Sequence, residues 1–371
     1  MDPPRPEAIA AVRACHTAGI AVKMITGDHA DTARAIARQL GLRGDQPGAD
    51  ELGVMTGGKL ADLPHREMPG AVARTAVFAR VSPEQKLRIV EALQARDQIV
   101  AMTGDGVNDA PALKQADIGV AMGRAGTEVA KEAADMVLSD DNFASIEAAV
   151  EEGRGVFDNL TKFIAWTLPS NGGESLLVLA AILLGTTLPI LPVQILWINM
   201  TTAICLGLTL AFEPKEAGSM QRPPRDPRAP LLSAALAARI AVVSVLMLAG
   251  TFGLFTWEVH RGASAAEART VAVNVIVMVE LFYLLACRSL ERSIFDIGVL
   301  TNPWAAWGAL TMLGLQALLT YAPFMQRLFH TAPIGLDAWG RILAVAVVVY
   351  LVIEAKKWIG RTAAAGHLVR A

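Results

Sequence analysis

Hydrophobic and polar positions divide this chain into two unlike parts. As far as about Lys162, short apolar runs alternate with charged segments of helical spacing, and from there to Ile359 long apolar runs dominate. Short apolar strands that alternate with helices are typical of a parallel sheet. Apolar runs of roughly 20 residues are typical of transmembrane helices. The sequence therefore predicts an α/β domain followed by an all-α membrane part.

The first part predicts alternating strands and helices. Helical spacing covers residues 30–40, and Ser82-Pro83-Glu84 opens a second helix that runs to about Ala95, with a serine N-cap and a proline at its first position. A loop or small insertion is predicted over 44–63, which carries Gly, Asp and Pro. The predicted strands are residues 21–25, 75–79, 98–102, 118–122 and 136–139.

The second part predicts six membrane spans. An amphipathic stalk helix over residues 146–162 leads into them without a helix breaker, and an even number of spans places both chain ends on one side. The candidate spans are residues 160–184, 190–212, 234–257, 271–287, 304–322 and 338–359. The domain boundaries that follow are 1–145 for the α/β domain, 146–160 for the stalk, 160–212 for two spans, 213–233 for a loop, 234–359 for four spans and 360–371 for a tail.

Basic residues orient the membrane part. The loop after the second span carries Lys215, Arg222, Arg225 and Arg228, and the C-terminus carries Lys356, Lys357 and Arg361. By the positive-inside rule the α/β domain, this loop and the tail lie in the cytoplasm, as in a multi-pass protein of a bacterial plasma membrane. The composition is 53% hydrophobic with a net charge of -2, so nothing favours nucleic acid as a partner. The three isolated cysteines require no disulfide.

One Gly-rich turn carries the chemistry of the first part. Residues 103–111, Thr-Gly-Asp-Gly-Val-Asn-Asp-Ala-Pro, follow a short apolar run and place Asp105, Asn108 and Asp109 at a strand end. Ligands of open α/β folds bind at the carboxyl edge of the sheet. Carboxylates at that edge suit Mg²⁺, which usually bridges to phosphate. The turn therefore predicts phosphoryl chemistry.

Three motifs in order give the chain a family resemblance. Met24-Ile25-Thr26-Gly27-Asp28, the segment from Phe78 to Lys86 and the Thr103 to Pro111 block resemble the phosphorylation domain of P-type ATPases, and Leu196-Trp197-Ile198-Asn199 resembles the sixth transmembrane helix of the calcium-pump and sodium-pump branch. The resemblance implies a partial haloacid-dehalogenase-like Rossmann domain, followed by transmembrane helices five to ten.

The resemblance implies roles by position for the soluble residues. Thr26 and Gly27 would hydrogen-bond the phosphoryl group, and Asp28 would lie near the nucleotide. Lys86 would neutralise phosphoryl charge, while Asp105 would ligate Mg²⁺. Asn108 and Asp109 would order the phosphate site and its water, and Arg80 would contact the ribose of ATP. Phosphoryl transfer depends mostly on such positioning and charge neutralisation.

Polar residues inside the predicted spans form a second candidate site. An ionisable residue in a span is costly and is usually functional. Asn171 and Glu174 share one helical face beside Pro169, Asn199 and Thr202 repeat that spacing in the next span, and Glu280 lies in the fourth. These five positions fall where calcium pumps hold cation ligands. For Thr202, helix packing is the competing interpretation, and for the polar Asn274 it is the favoured one.

One position departs from the family pattern. The calcium and sodium pumps carry an Asp after the position of Thr202, whereas this chain has Ala203. The site therefore has one carboxylate fewer, although Glu174 and Glu280 remain. Ca²⁺, a monovalent ion and another divalent ion all stay open.

The family's phosphorylated Asp lies in an Asp-Lys-Thr-Gly motif, and no Asp of this chain is followed by Lys. The actuator motif Thr-Gly-Glu, the nucleotide domain and the first four transmembrane helices have no counterpart either. We therefore expect the C-terminal portion of an ATP-driven cation pump, an enzyme by family but inactive alone, whose sheet lacks its central strand. An N-terminal pump half would be the partner that completes it.

Two other classes of function remain as alternatives. The chain would be a non-enzymatic membrane protein if it binds or regulates a full-length pump. It would be a membrane-tethered phosphatase if a nucleophilic Asp ended the first strand, and none is visible there.

Overall fold

The computed structural model describes residues 4–43 and 52–368. The chain forms two compact units. The first comprises Met1–Arg154 with Glu216–Ala229, and the second comprises Gly155–Lys215 with Pro230–Ala371. Part of the loop predicted over 213–233 thus belongs to the first unit.

The first unit is built of short strands and helices in alternation. Its strands are β1 (Met24–Thr26), β2 (Val54–Thr56), β3 (Val77–Ala79), β4 (Ala101–Gly104), β5 (Ile118–Met122) and β6 (Met136–Leu138). Its helices are α1 (Pro6–Thr17), α2 (Ala30–Leu40), α3 (Gly57–Ala61), α4 (Met68–Arg74), α5 (Pro83–Gln94), α6 (Ala110–Gln115) and α7 (Glu128–Ala133). The predicted helices at 30–40 and after Ser82 are confirmed.

These strands form two three-stranded parallel sheets, in the orders β1-β3-β2 and β4-β5-β6. The parallel sheet predicted from the alternating pattern is confirmed. The prediction of a loop over 44–63 is wrong at β2 and α3, because Val54–Thr56 pairs with β3 despite the glycines around it. Residues 44–51 of that prediction lie outside the described residues.

No backbone ladder joins β1 to β4 in the described part of the chain, so both are edge strands. Ile25 of β1 and Val100, just before β4, nevertheless pack against the same two apolar clusters. The expectation that the sheet lacks its central strand stays a prediction. Edge strands of this kind leave backbone N–H and C=O groups open to a further strand.

The second unit consists of long helices. Its elements are α8 (Phe143–Leu183), which begins in the first unit, then α9 (Pro192–Cys205), α10 (Ala234–His260), α11 (Ala265–Cys287), α12 (Ile294–Ile297), α13 (Pro303–Tyr321), α14 (Pro323–Phe329) and α15 (Leu336–Leu368). A 3-10 helix, Gly207–Phe212, continues α9. The centre of the unit is α11. Its most apolar stretch is 83% buried, whereas those of α9, α10 and α15 are 33% buried or less.

Four helices of the described chain are long and apolar enough to cross a membrane. They are α9 with its 3-10 extension, α10, α11 and α15, and a fifth follows if α13 and α14, which meet at an 82° bend, form one span. The polar stretch from Pro169 to Glu174 lowers the hydropathy of α8, which is not among them. The six-span count therefore stays a prediction. The predicted tail after Ile359 is helical as far as Leu368, since α15 continues through it.

A buried ion pair joins several segments of the second unit. Arg288 Nε donates to Glu213 Oε1 at 2.7 Å, and both side chains are at most 3% exposed. The same carboxylate oxygen accepts from Asn302 Nδ2 at 2.7 Å, and the Glu213 carbonyl accepts from Asn159 Nδ2 at 2.8 Å. The pair thus ties α8, the 3-10 helix, the end of α11 and the start of α13.

We predict that Arg288→Ala lowers the free energy of unfolding by about 3–5 kcal/mol, because it leaves the Glu213 carboxylate buried without its cation. Thermal unfolding in detergent measures the change. Arg361→Ala is the matched control, since Arg361 pairs with Asp296 where both side chains are more than 40% exposed, and its loss should cost less than about 1 kcal/mol. Equal effects of the two substitutions would contradict the assignment.

Candidate functional site

The turn after β4 is organised around Asp109. Lys86, in the first turn of α5, places Nζ 2.5 Å from Asp109 Oδ1. Asp109 Oδ2 accepts the backbone N–H groups of Asp105 at 3.3 Å and Gly106 at 3.2 Å. Position 104 needs glycine, because a Cβ there would lie 2.5 Å from the Asp109 Cβ. The buried Asp109 therefore shapes the turn and holds Lys86 beside it.

Local sequence explains how Lys86 reaches this turn. Ser82 caps α5 by accepting from the Gln85 N–H, and Gln85 Oε1 accepts from the Ser82 N–H in return. Gln85 also donates to the Gly57 carbonyl at 2.8 Å, which fixes the start of α5 against α3. In sequence, a serine followed by glutamine three positions later indicates such a reciprocal cap at the start of a helix.

Asp105 and Asn108 lie on the open side of the same turn. Both are exposed, and the Asp105 backbone is anchored by the Thr127 N–H, which donates to its carbonyl at 2.8 Å. One exposed carboxylate at a strand end suits Mg²⁺, which is commonly held by one or two carboxylates plus phosphate. The described residues contain no cluster of three acidic, histidine or cysteine side chains that could hold a metal ion.

The turn after β1 carries Thr26, Gly27 and Asp28. The Thr26 hydroxyl donates to Asp28 Oδ2 and accepts the Asp28 N–H, both at 3.1 Å. Apart from its two chain neighbours, no described residue has an atom within 4 Å of a Cβ placed at Gly27, so its backbone has room for a ligand. Since Thr26 is in register with Ala79 of β3, the exposed Arg80 follows at the same sheet edge. Arg80 adopts a left-handed backbone with φ 54°.

The second unit buries two carboxyl groups among apolar helices. Glu174 on α8 and Glu280 on α11 are 4% and 1% exposed, and they are close enough to interact electrostatically. Asn199 Nδ2 on α9 donates to Glu174 Oε2 at 2.8 Å. Glu174 Oε1 and Glu280 Oε2 have no hydrogen-bond partner among the described residues. Helices α8 and α11 thus each bury a carboxyl oxygen without a described partner, and carboxyl oxygens are the ligands that hard cations take.

Hydroxyl groups complete the surroundings of Glu280. The hydroxyl groups of Thr202 on α9 and Ser170 on α8 lie near its side chain. They donate to backbone carbonyls of their own helices, those of Ile198 at 2.9 Å and Trp166 at 3.1 Å. The indole N–H of Trp166 donates to the Glu280 backbone carbonyl at 3.0 Å, which fixes α11 against α8. Sequence reasoning selected Thr202 and missed Ser170 and Trp166. Ser170 lies within the polar stretch that contains Asn171, and this was the available signal.

Two of the predicted polar positions behave differently. Asn171 is exposed, whereas Glu174, three residues later on α8, is buried. Asn274 is fully buried and donates to Thr270 O at 2.9 Å and Thr320 Oγ1 at 3.1 Å, as the packing interpretation predicts. Ala203 is also exposed, so no side chain from that position approaches the pair.

Known protein families match both parts of the chain. Residues 187–359 match the family model described as cation transporting ATPase, C-terminus, and residues 1–117 and 86–150 match models of haloacid dehalogenase-like hydrolases. A probable cation-transporting ATPase F of Mycobacterium tuberculosis is 62% identical over 95% of this chain and 39% of its own length. A cation-transporting ATPase of Synechocystis is 50% identical over 91% of the chain and 38% of its length. A calcium-transporting ATPase of Bacillus subtilis is 42% identical over 94% of this chain and 38% of its own length.

The chain thus joins a haloacid-dehalogenase-like unit to apolar helices that contain buried carboxyl groups. The chain belongs to the P-type cation-transporting ATPases. It is a multi-pass membrane protein, and it spans 39% of the length of the mycobacterial relative.

We predict that Lys86→Ala destabilises the turn after β4 by about 1.5–3 kcal/mol, because the nearly buried Asp109 carboxylate loses a charged hydrogen bond. Amide hydrogen exchange of residues 101–115 should accelerate accordingly. Lys131→Ala is the control, since Lys131 pairs with Glu128, whose side chain is 83% exposed. Unchanged exchange in Lys86→Ala would show that Asp109 orders the turn without its lysine.

Proposed function

We propose that the chain acts in ATP-driven transport of a cation across a membrane. The observation that carries this proposal is the Glu174–Glu280 pair, buried in an apolar helical unit with carboxyl oxygens that lack partners in the described structure. Buried carboxyl groups in a membrane are costly, and they usually mark an ion pathway. Relatives named as cation- and calcium-transporting ATPases support the same proposal.

The cation would be held by Glu174, Glu280, Asn199 and Thr202, with Ser170 beside them. Ca²⁺ is the leading candidate, because two carboxylates and neutral oxygens resemble its usual ligand set and because several relatives are named calcium-transporting. The exposed Asn171 lies on the open side of α8, where a further membrane helix would add ligands and cover polar atoms from lipid. A monovalent ion remains the alternative that Ala203 favours.

The first unit would supply the phosphoryl chemistry. Thr26 and the open backbone of Gly27 would hydrogen-bond the phosphoryl group, and Lys86 would neutralise its charge. Asp105 would hold Mg²⁺, Asn108 and Asp109 would order the turn, and Asp28 and Arg80 would lie near ATP. The phosphorylated Asp would come from outside this chain, since no Asp here is followed by Lys. An N-terminal pump half is therefore the proposed partner, and the chain would be inactive alone.

We also propose that the first unit and the C-terminus face the cytoplasm of a bacterium, with the helices in its plasma membrane. Lys215, Arg222, Arg225 and Arg228 in one loop support this orientation.

We predict that Asp105→Asn abolishes phosphorylation by ATP in the transporter that contains this chain, because Mg²⁺ loses its carboxylate. Cation binding should remain normal, since Asp105 and the Glu174–Glu280 pair belong to different units. Acid-stable labelling with radioactive ATP measures the first property. Full labelling of Asp105→Asn would contradict the role given to this residue.

We predict that Glu174→Gln raises the Ca²⁺ concentration for half-maximal ATPase activity by about ten-fold or more, because a buried charge that binds the cation is removed. Phosphorylation should remain detectable. Glu291→Gln is the matched control, because Glu291 is exposed. An unchanged cation dependence in Glu174→Gln would overturn the proposed site.

A further inference from the structure

Pro169 interrupts the hydrogen bonds of α8 close to the acidic pair. Proline has no N–H, so the carbonyl four residues earlier, that of Ala165, loses its helical donor. Both residues are buried. An unpaired carbonyl in an apolar membrane unit costs several kcal/mol unless another group supplies the donor.

Tyr283 of α11 supplies that donor. Its hydroxyl donates to the Ala165 carbonyl at 2.8 Å, and the side chain is fully buried. Tyr283 lies one helical turn after Glu280 on the same helix. Helix α11, which carries Glu280, therefore supplies the hydrogen bond that is missing in α8, which carries Glu174.

Arg239 of α10 holds the Tyr283 side chain in place. Its Nε donates to the phenolic oxygen at 3.1 Å, and its guanidinium lies 5.5 Å from the ring centroid. The same guanidinium donates to the carbonyls of Ala286 at 3.3 Å and Leu290 at 3.4 Å at the end of α11. The phenolic oxygen thus accepts from Arg239 while it donates to Ala165.

A second contact from α10 fixes the other side of the break. The Ser244 hydroxyl donates to the Pro169 carbonyl at 2.9 Å. Ser170, the next residue, lies near the Glu280 side chain, and Glu174 follows one turn later. The geometry of the break therefore decides where Ser170 and Glu174 lie relative to Glu280.

We propose that Tyr283, oriented by Arg239, is a positioning residue of the cation site, which sets the spacing between the ligands of α8 and the ligand of α11 by replacing the hydrogen bond that Pro169 removes. This role rests on the proposed function of the Glu174–Glu280 pair. It differs from general helix packing because it depends on one hydroxyl group and on the presence of a proline.

Tyr283→Phe tests the role, since it removes only the hydroxyl group. In the reconstituted transporter, the Ca²⁺ concentration for half-maximal ATPase activity should rise by about three- to ten-fold, because one hydrogen bond that positions the ligands is lost. The maximal rate should change little. Tyr350→Phe is the matched control, because the Tyr350 hydroxyl has no hydrogen-bond partner in the described chain. It should leave both parameters unchanged.

The Pro169→Ala background provides the decisive comparison. Alanine restores a backbone N–H that bonds the Ala165 carbonyl directly, so the Tyr283 hydroxyl becomes redundant. Tyr283→Phe should then cause no further loss of Ca²⁺ affinity. The same loss in both backgrounds, or none in either, would overturn the positioning role.

A structural readout separates this inference from the proposed function. Amide hydrogen exchange of residues 166–174 should accelerate in Tyr283→Phe. Faster exchange with unchanged Ca²⁺ affinity would reduce Tyr283 to a structural residue and overturn the role. A wild-type transporter whose ATPase activity responds to none of Ca²⁺, Mn²⁺, Na⁺ and K⁺ would instead overturn the proposed function itself.

Discussion

The helical unit depends on one constraint, which is that two carboxyl groups lie inside an apolar bundle. Glu174 and Glu280 have lost their water, so the surrounding helices must place polar atoms near them. Asn199 approaches from α9, Ser170 from α8, and the Trp166 indole fixes the backbone of α11. The proline break in α8 belongs to the same arrangement, because it brings the polar segment of α8 to the pair.

The α/β unit follows a related logic at the end of β4. Burial of the Asp109 carboxylate beside Lys86 fixes the turn, and the turn then leaves Asp105 exposed. One acidic residue thus stabilises the backbone while its neighbour stays free for a ligand. The two turns proposed to bind ligands, after β1 and after β4, follow edge strands of separate sheets. A further strand between β1 and β4 would complete a single sheet and bring the two turns to one edge.

Much of this arrangement follows from local sequence patterns. Helical spacing and capping residues coincide in the helix at 30–40 and in the helix after Ser82. A short apolar run predicts the strand at 118–122. The cost of an ionisable residue in a span makes Glu174 a candidate ligand from sequence alone, but helical spacing does not reveal that Asn171 is exposed. The role of Tyr283 was beyond sequence reasoning, since its partner Ala165 lies 118 residues away. The strand Val54–Thr56 was missed because its pairing with β3, and not its Gly-rich surroundings, stabilises it.

Cation-induced infrared difference spectroscopy of the reconstituted transporter tests the central claim most directly, because it observes the carboxyl groups themselves. Addition of Ca²⁺ should change the carboxyl stretching bands, and Glu280→Gln should remove part of that change. A spectrum in which saturating Ca²⁺, Mn²⁺, Na⁺ and K⁺ all leave the carboxyl bands unaltered would contradict the account, since the buried pair would then bind no cation.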